Sequence, residues 1–214
     1  MRILLNQNKS FLFVYFLFAL AVLSILAYFG KHDAQLFANQ YYSPFFDSLF
    51  FYSTKIVEWF SVAVFLFLLL FKGIKKSLNG LIIYGITALV TFTLKRQVFA
   101  EAMRPTFDNT DFRLLPSEFA MGQLSNNSFP SGHTTAAFTL FCYLTLISKN
   151  KNLGYLFGFI AVLVGYSRVY LSQHYFEDIL AGATIGTLLT FITFYFLNKI
   201  NFSPRLTKPL FKYR

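Results

Sequence analysis

Six apolar stretches, at residues 11–29, 49–71, 81–94, 134–147, 153–171 and 179–197, limit what this chain can fold into more than any other feature. A helix crossing a bilayer needs about 20 mostly apolar residues, because backbone N–H and C=O groups in hydrocarbon have only each other as partners. The third and fourth stretches are short and draw on flanking polar residues for the rest of their length. With 13% charged residues against about 25% in a soluble domain, and with 30 Phe and 13 Tyr, the chain carries more apolar surface than one soluble core of this size hides. A water-soluble globule is excluded. The expected fold is all-α: a polytopic membrane protein, a bundle of six transmembrane helices forming a single membrane-embedded domain over residues 1–214. The first stretch is long for a signal-peptide core and no small-x-small cleavage site follows it, so it reads as an uncleaved anchor.

An even number of spans places both termini on one side, and the basic residues say which. Arg2, Lys9, Lys72, Lys75, Lys76, Lys149, Lys151, Lys199, Arg205, Lys208, Lys212 and Arg214 fall on the terminal side. Lys31, Lys95, Arg96, Arg104, Arg113 and Arg168 fall on the other, together with every acid except Glu58. By the positive-inside tendency the termini are cytoplasmic, and residues 198–214 form a basic cytoplasmic tail. The net charge of +10 is then a matter of topology, with no nucleic-acid partner implied. Cys142 is alone in an apolar stretch, so no disulfide or cysteine-based zinc site is expected.

The cytoplasmic connections at 72–80 and 149–152 read as plain turns. The long outer loop at 95–133 carries the residues with chemistry, and its stretch 111–121 mixes Phe112, Leu114, Leu115, Phe119 and Met121 with Arg113 and Glu118. A lid lying in the interface and a bland surface turn both fit that pattern.

Two of the three histidines stand at the outer ends of predicted spans, beside the arginines that abut spans on that side. His133 lies in Phe129-Pro130-Ser131-Gly132-His133-Thr134, where Pro130 and Ser131 read as helix-start residues. The N–H groups of Ser131, Gly132 and His133 are then available to an anion, and Gly132 allows close approach. His174 and Asp178 are four apart, so on a helix they share a face. The carboxylate can hold one imidazole tautomer and leave the other nitrogen free to attack. A plain helix-start turn and a plain helix-surface contact are the ordinary readings of these two elements taken singly. Arg168 between them changes the balance, since a charge at the membrane boundary is costly and normally functional. With Lys95 and Arg104 it supplies the positive charge a phosphoryl group needs. Arg96 reads as a side chain snorkelling to lipid phosphates.

These residues resemble the motifs of the type 2 phosphatidic acid phosphatases, the integral-membrane branch of a superfamily that includes soluble bacterial acid phosphatases and vanadium haloperoxidases. The family's motifs are a lysine, six residues and Arg-Pro; Pro-Ser-Gly-His; and Ser-Arg, five residues, His, three residues, Asp. The second and third are matched in full by residues 130–133 and 167–178. The first departs: Arg104-Pro105 is present, but Gln97 stands at the lysine position and Lys95 lies two residues earlier. At about 100° per residue, positions seven apart share a helical face and positions nine apart oppose each other. The expectation is an irregular stretch at 96–103 with Lys95 still reaching the phosphate, and Arg96 as the substitute.

The resemblance implies a phosphatase that needs no metal or cofactor. In it His174 attacks phosphorus to form a phosphohistidine, Asp178 orients it, and His133 protonates the leaving oxygen. Lys95, Arg104, Arg168, Ser131 and the N–H of Gly132 cradle the phosphoryl oxygens. The implied partners are the bilayer and a lipid phosphate: undecaprenyl pyrophosphate, lipid A, phosphatidylglycerophosphate or phosphatidic acid. The implied place is the bacterial inner membrane, with the site facing the periplasm or exterior. A phosphotransferase of the same family passes the group to another lipid.

Two readings from other classes stand beside this one. A zinc hydrolase would use His133, His174 and Asp178 as ligands, although three nearby cations repel a divalent metal. A transporter would use Lys55 and Glu58 as an intramembrane coupling pair, against the simpler reading of a local ion pair. Gly182-x-x-x-Gly186 suggests close helix packing, and His32 has no assigned role.

Overall fold

The computed structural model describes residues 2–108, 112 and 125–200. The candidate lid at 111–121, apart from Phe112, and most of the basic tail lie outside the described residues. Among them every regular element is helical: α1 (Arg2–Gln7), α2 (Lys9–Gln40), α3 (Pro44–Lys55), α4 (Trp59–Leu69) with a 3-10 turn (Leu70–Lys72), α5 (Ile74–Thr93), a π-helix (Leu94–Val98), α6 (Pro105–Asp108), α7 (Gly132–Ile147), α8 (Leu153–Tyr170) and α9 (Phe176–Leu197). Four are long and apolar enough to cross a membrane: α2, α5 with its π-helix, α8 and α9. The apolar segment Ser61–Lys72 and α7 are shorter.

Helix α7 is the axis of the bundle. Apart from Gly132, His133, Leu144 and Ile147 its residues are all buried, as a helix apolar all round requires. Phe138 takes the rings of Phe11, Tyr15 and Phe18 from α2 against it. On another side α9 approaches to backbone contact at Gly182 and Gly186. A Cβ at Gly182 would lie 2.7 Å from Ser131 O, and one at Gly186 2.6 Å from Thr135 O. The glycine pair is thus the condition for α7 and α9 to touch at the level of the Pro-Ser-Gly-His turn.

Two predicted spans are corrected. The stretch 49–71 is not one helix: α3 ends at Lys55 and α4 begins at Trp59, with residues 56–58 forming a tight turn whose N–H groups reach back to Ser53, Thr54 and Lys55 carbonyls. Side chains close over the break: Lys55 Nζ reaches Glu58 Oε1 at 2.7 Å, and Ser61 Oγ donates at 2.7 Å to the Lys55 carbonyl, which also accepts the Glu58 N–H at 3.3 Å. The first predicted span, in turn, does not stop at residue 29. Gly30 takes a left-handed backbone (φ 74°) and the chain then resumes as helix to Gln40. That second part packs its buried Ala34, Gln35 and Ala38 inward. Gln35 Nε2 donates to Val169 O at 2.9 Å, and Asn39 Nδ2 to Ser172 Oγ at 3.0 Å, bracing the turn between α8 and α9.

Candidate active site

That braced turn holds the first functional group. After Tyr170 the chain leaves α8 with Ser172 in a left-handed conformation (φ 51°), and the N–H groups of Gln173 and His174 both donate to Arg168 O, at 2.9 and 3.1 Å. His174 therefore sits just before α9, not within it, while Asp178 lies in the first turn of that helix. The pair meets across the helix start, with Nδ1 to Oδ2 3.2 Å and both residues 1% exposed. The same Oδ2 accepts the Tyr175 N–H at 2.9 Å as a helix cap and the Ser128 hydroxyl at 2.5 Å. A carboxylate is acceptor only, so Nδ1 carries the imidazole proton and Nε2 is left as a lone-pair nitrogen. Burial, with Arg104, Lys95 and Arg168 nearby, holds the His174 pKa well below its ordinary value. The ring is neutral at physiological pH.

Ser128 is the contributor that the sequence does not announce. It lies 50 positions from Asp178 and 46 from His174, whose Nδ1 is 3.4 Å from its hydroxyl. What brings it there is a backbone pairing of two loop segments: Ser128 N to Ala102 O at 2.9 Å, and Arg104 N to Ser125 O at 2.9 Å. The same pairing positions Arg104, which is 7% exposed. Its Nε donates to Asn126 O at 3.2 Å and its Nη1 to Gln173 O and Oε1, both at 3.3 Å. Arg104 thus ties the loop to the turn that carries His174, and burial lowers its pKa without removing its charge.

Lys95 is the first-motif residue that turns inward. The π-helix widens the backbone at Leu94–Val98, Phe99 N closes it onto Leu94 O at 2.8 Å, and residues 99–104 leave helical geometry altogether. The nine-residue offset from Arg104 therefore no longer sets opposite faces. Lys95 Nζ donates to Asn127 O at 2.7 Å, and a Cβ on Gly132 would lie 3.8 Å from its Cε. Arg96 is exposed, its guanidinium 5.9 Å from the Phe92 ring centre.

Ser131 is placed otherwise than a simple anion cradle would have it. Its N–H is taken by Asp178 O at 3.0 Å, and its Oγ caps α7 by accepting Thr134 N at 3.4 Å and Thr134 Oγ1 at 2.9 Å. The open N–H groups at the start of α7 are those of Gly132 and His133, which precede the helix's own acceptors. His133 stands in that first turn within electrostatic reach of Arg168 and His174. Arg168, 9% exposed at the end of α8, has an Nε with no hydrogen-bond partner among the described residues. An unpaired buried donor is costly, and an anion would satisfy it.

Two histidines, a carboxylate, a serine and three cations thus gather at one end of the bundle, opposite the end where Lys151 approaches Asn8. Among the described residues no three His, Cys, Asp or Glu side chains converge as a metal site requires. Lys55 and Glu58 form a half-exposed local ion pair, and the Glu58 carboxylate also acts electrostatically on Arg168. His32 lies 6.2 Å from Phe112, ring to ring, and 5.6 Å from Tyr175, whose hydroxyl donates to Asp108 at 2.6 Å. These contacts tie the C-terminal part of α2 to the loop that follows α6 and to the start of α9.

Residues 76–202 match the family model described as the PAP2 superfamily. Phosphatidylglycerophosphatase B of Bacillus subtilis (strain 168) is 38% identical over 138 residues, covering 59% of this chain and 62% of that protein. The undecaprenyl-diphosphatase of Sulfolobus acidocaldarius is 31% identical over 137 residues, covering 64% and 63%. The chain thus matches a little under two thirds of the length of these relatives. The crystal structure of the first transmembrane PAP2 type phosphatidylglycerolphosphate phosphatase from Bacillus subtilis superposes with a TM-score of 0.65 at 27% identity, over 92% of this chain and 98% of that one.

Proposed function

The chain belongs to the PAP2 superfamily and is an integral membrane protein, and we propose that it is a lipid phosphatase working as one membrane-embedded unit. The observation that carries the proposal is the buried neutral His174, held through Nδ1 by Asp178, facing Lys95, Arg104 and Arg168. In the proposed reaction Nε2 of His174 attacks phosphorus as the bond to the lipid oxygen breaks. His133 gives that oxygen a proton, and the phosphoryl group stays on His174. Water, deprotonated by His133, then attacks the phosphohistidine and releases inorganic phosphate. The three cations and the N–H groups of Gly132 and His133 hold the equatorial oxygens where charge builds.

Six spans complete the proposed topology, with α3 and α4 together serving as the second. The termini face the cytoplasm and the site faces the periplasm or exterior of a bacterial plasma membrane. The substrate is a phosphate monoester or pyrophosphate on an amphiphile, a class that includes what the named relatives hydrolyse. Transfer of the phosphoryl group to a second lipid is the variant reading, favoured if water is excluded after the first step. The test is phosphate release by the purified protein from phosphatidic acid, phosphatidylglycerophosphate, undecaprenyl pyrophosphate and lipid A, with EDTA present. Release from at least one of them in chelator supports the proposal. Activity that appears only when zinc is restored defeats it.

A further inference from the structure

One cation beside the His174–Asp178 pair comes from a helix that carries none of the groups assigned so far. Helix α2 breaks at Gly30, whose backbone is left-handed (φ 74°). A Cβ there would meet nothing within 4 Å, so glycine serves the change of backbone direction and no close contact. The next residue is Lys31. Its ammonium group lies 4.2 Å from the centre of the Tyr175 ring and 2.9 Å from Glu177 Oε1. Tyr175 follows His174 and Glu177 precedes Asp178, so both contacts fall on the short stretch between the proposed nucleophile and its carboxylate.

Tyr175 is wholly buried and held from several sides. Its backbone N–H donates to Asp178 Oδ2 at 2.9 Å, and its hydroxyl donates to Asp108 Oδ2 at 2.6 Å. Burial and Asp108 push the phenol pKa up, so the hydroxyl stays a donor. The rings of His32 and Phe112 meet the tyrosine edge-on at 5.6 and 6.1 Å, and His32 Nε2 lies 3.9 Å from the same Asp108 oxygen. Lys31 takes the ring face, the negative side of its quadrupole. Charge reaches further than contact. The Lys31 ammonium acts on the Asp178 carboxylate from α2, as Lys95 does from the π-helix. His174 faces Lys95, Arg104 and Arg168, with His133 also in reach. Glu177 opposes Lys31, and Asp108 is the other acid at the tyrosine. With side chains 39% and 42% exposed, the Lys31–Glu177 pair is screened by water and adds little to stability by itself.

We propose that Lys31 is a positioning residue for phosphoryl transfer: gripping Tyr175 and Glu177 from the break in α2, it fixes the turn that sets the Asp178 carboxylate on Nδ1 of His174. A cation beside a buried carboxylate also favours its charged form, the form that accepts the Nδ1 proton in a hydrogen bond. The proposal rests on the phosphatase reading and adds to it a residue outside all three sequence motifs, acting on the nucleophile through its neighbours.

The test removes the charge and keeps the bulk, with Lys31→Met assayed on the fastest substrate among phosphatidic acid, phosphatidylglycerophosphate, undecaprenyl pyrophosphate and lipid A. It should lower kcat about fivefold, the worth of one cation–π contact, and leave KM within about twofold, since Lys31 contacts the start of α9 and not the phosphate cradle. Losing a cation raises the pH at which the His174–Asp178 pair takes up a proton, so the acid limb of kcat should move up by roughly half a unit. Lys31→Arg should restore both kcat and the limb. Glu177→Gln keeps an oxygen for Lys31 but removes the opposing charge, and should move the limb the other way. An unaltered kcat in Lys31→Met, or a lower kcat with the limb unmoved, overturns the proposal. A second measurement needs no turnover: hydrogen–deuterium exchange of the peptide covering residues 172–178. The Tyr175 amide, bonded to Asp178, should exchange about fivefold faster in Lys31→Met and at the unaltered rate in Lys31→Arg. Equal rates in all three proteins reject the grip. If the unaltered protein releases phosphate from none of the four lipids, the phosphatase reading fails, while the exchange rates still judge whether Lys31 positions the turn.

Discussion

Two of the helix breaks beside a lysine in this molecule do opposite things. Between α3 and α4 the turn at 56–58 follows Lys55, which ends on Glu58 at 2.7 Å. Where α5 becomes a π-helix, Lys95 ends on the carbonyl of Asn127, with Arg104 and Arg168 near enough to feel its charge. The first lysine is neutralised by its partner and half-exposed. The second has backbone carbonyls as its hydrogen-bond acceptors among the described residues, and it feels Arg104 and Arg168 more than the single Asp178 carboxylate that opposes them. A break in a membrane helix thus frees backbone in both places, and the counter-charge decides whether the place is structural or ready for an anion.

The comparison breaks most visibly if the cationic crowd has no nucleophile to serve. His174→Ala should abolish phosphate release, while a protein of unchanged helix content by circular dichroism shows that folding was not the cause. Near-normal release would end the assignment. Lys95→Ala should cost about ten- to a hundredfold in kcat/KM, as one lost charge-assisted contact to phosphate is worth roughly 1.5–3 kcal/mol. Arg96→Ala should change it by less than about twofold, since that side chain is exposed and lies over the Phe92 ring, away from the cluster. A reversal of those two would move the cradle to Arg96.

Ser128→Ala sharpens the picture from the carboxylate side, with an expected loss in kcat of roughly tenfold. The pH profile separates positioning from simple damage. The His174 pKa lies well below its ordinary value because of burial and the neighbouring cations. Its neutral form therefore persists as pH falls below about 6.5, and the acid limb of kcat/KM should lie lower still. Without the Ser128 donor the Asp178 carboxylate pulls harder on Nδ1–H, the imidazole becomes more basic, and the limb should move to higher pH. A Ser128→Ala profile that keeps the limb in place would leave Ser128 with a packing role. The smallest effect belongs to the other break: Lys55→Met, which keeps the Glu58 carboxylate that Arg168 feels, should leave kcat/KM within about twofold and cost about 0–1 kcal/mol in stability. A large loss of turnover there would erase the distinction between the two lysines.

Much of the bundle was legible from apolar runs, and α7, α8 and α9 lie within a few residues of the predicted stretches. Hydropathy says nothing about backbone continuity, so it joined α3 to α4 although Lys55 and Glu58 marked the place where the helix turns. It also ended the first span early. Residues 31–40 are polar enough to read as a loop, and are helical because Ala34, Gln35 and Ala38 have the α8–α9 turn to pack against. The spacing of His174 and Asp178 correctly implied contact, although the contact forms across a helix start. Ser128 was beyond reach, since its place depends on the pairing of residues 100–104 with 125–128, which leaves no periodic trace. The inward turn of Lys95 was suggested only by the misfit of its spacing, and the π-helix is the device that resolves it.

The central claim is that phosphorus passes through the nitrogen of one buried histidine. It is tested most directly by quenching the protein during turnover of a phosphorus-32-labelled lipid phosphate at alkaline pH and mapping the label by peptide. The account predicts an acid-labile phosphoryl group on His174, absent from His174→Ala and accumulating in His133→Ala when the leaving group is a good one. Label on His133, or full turnover with no label on any histidine, would contradict it.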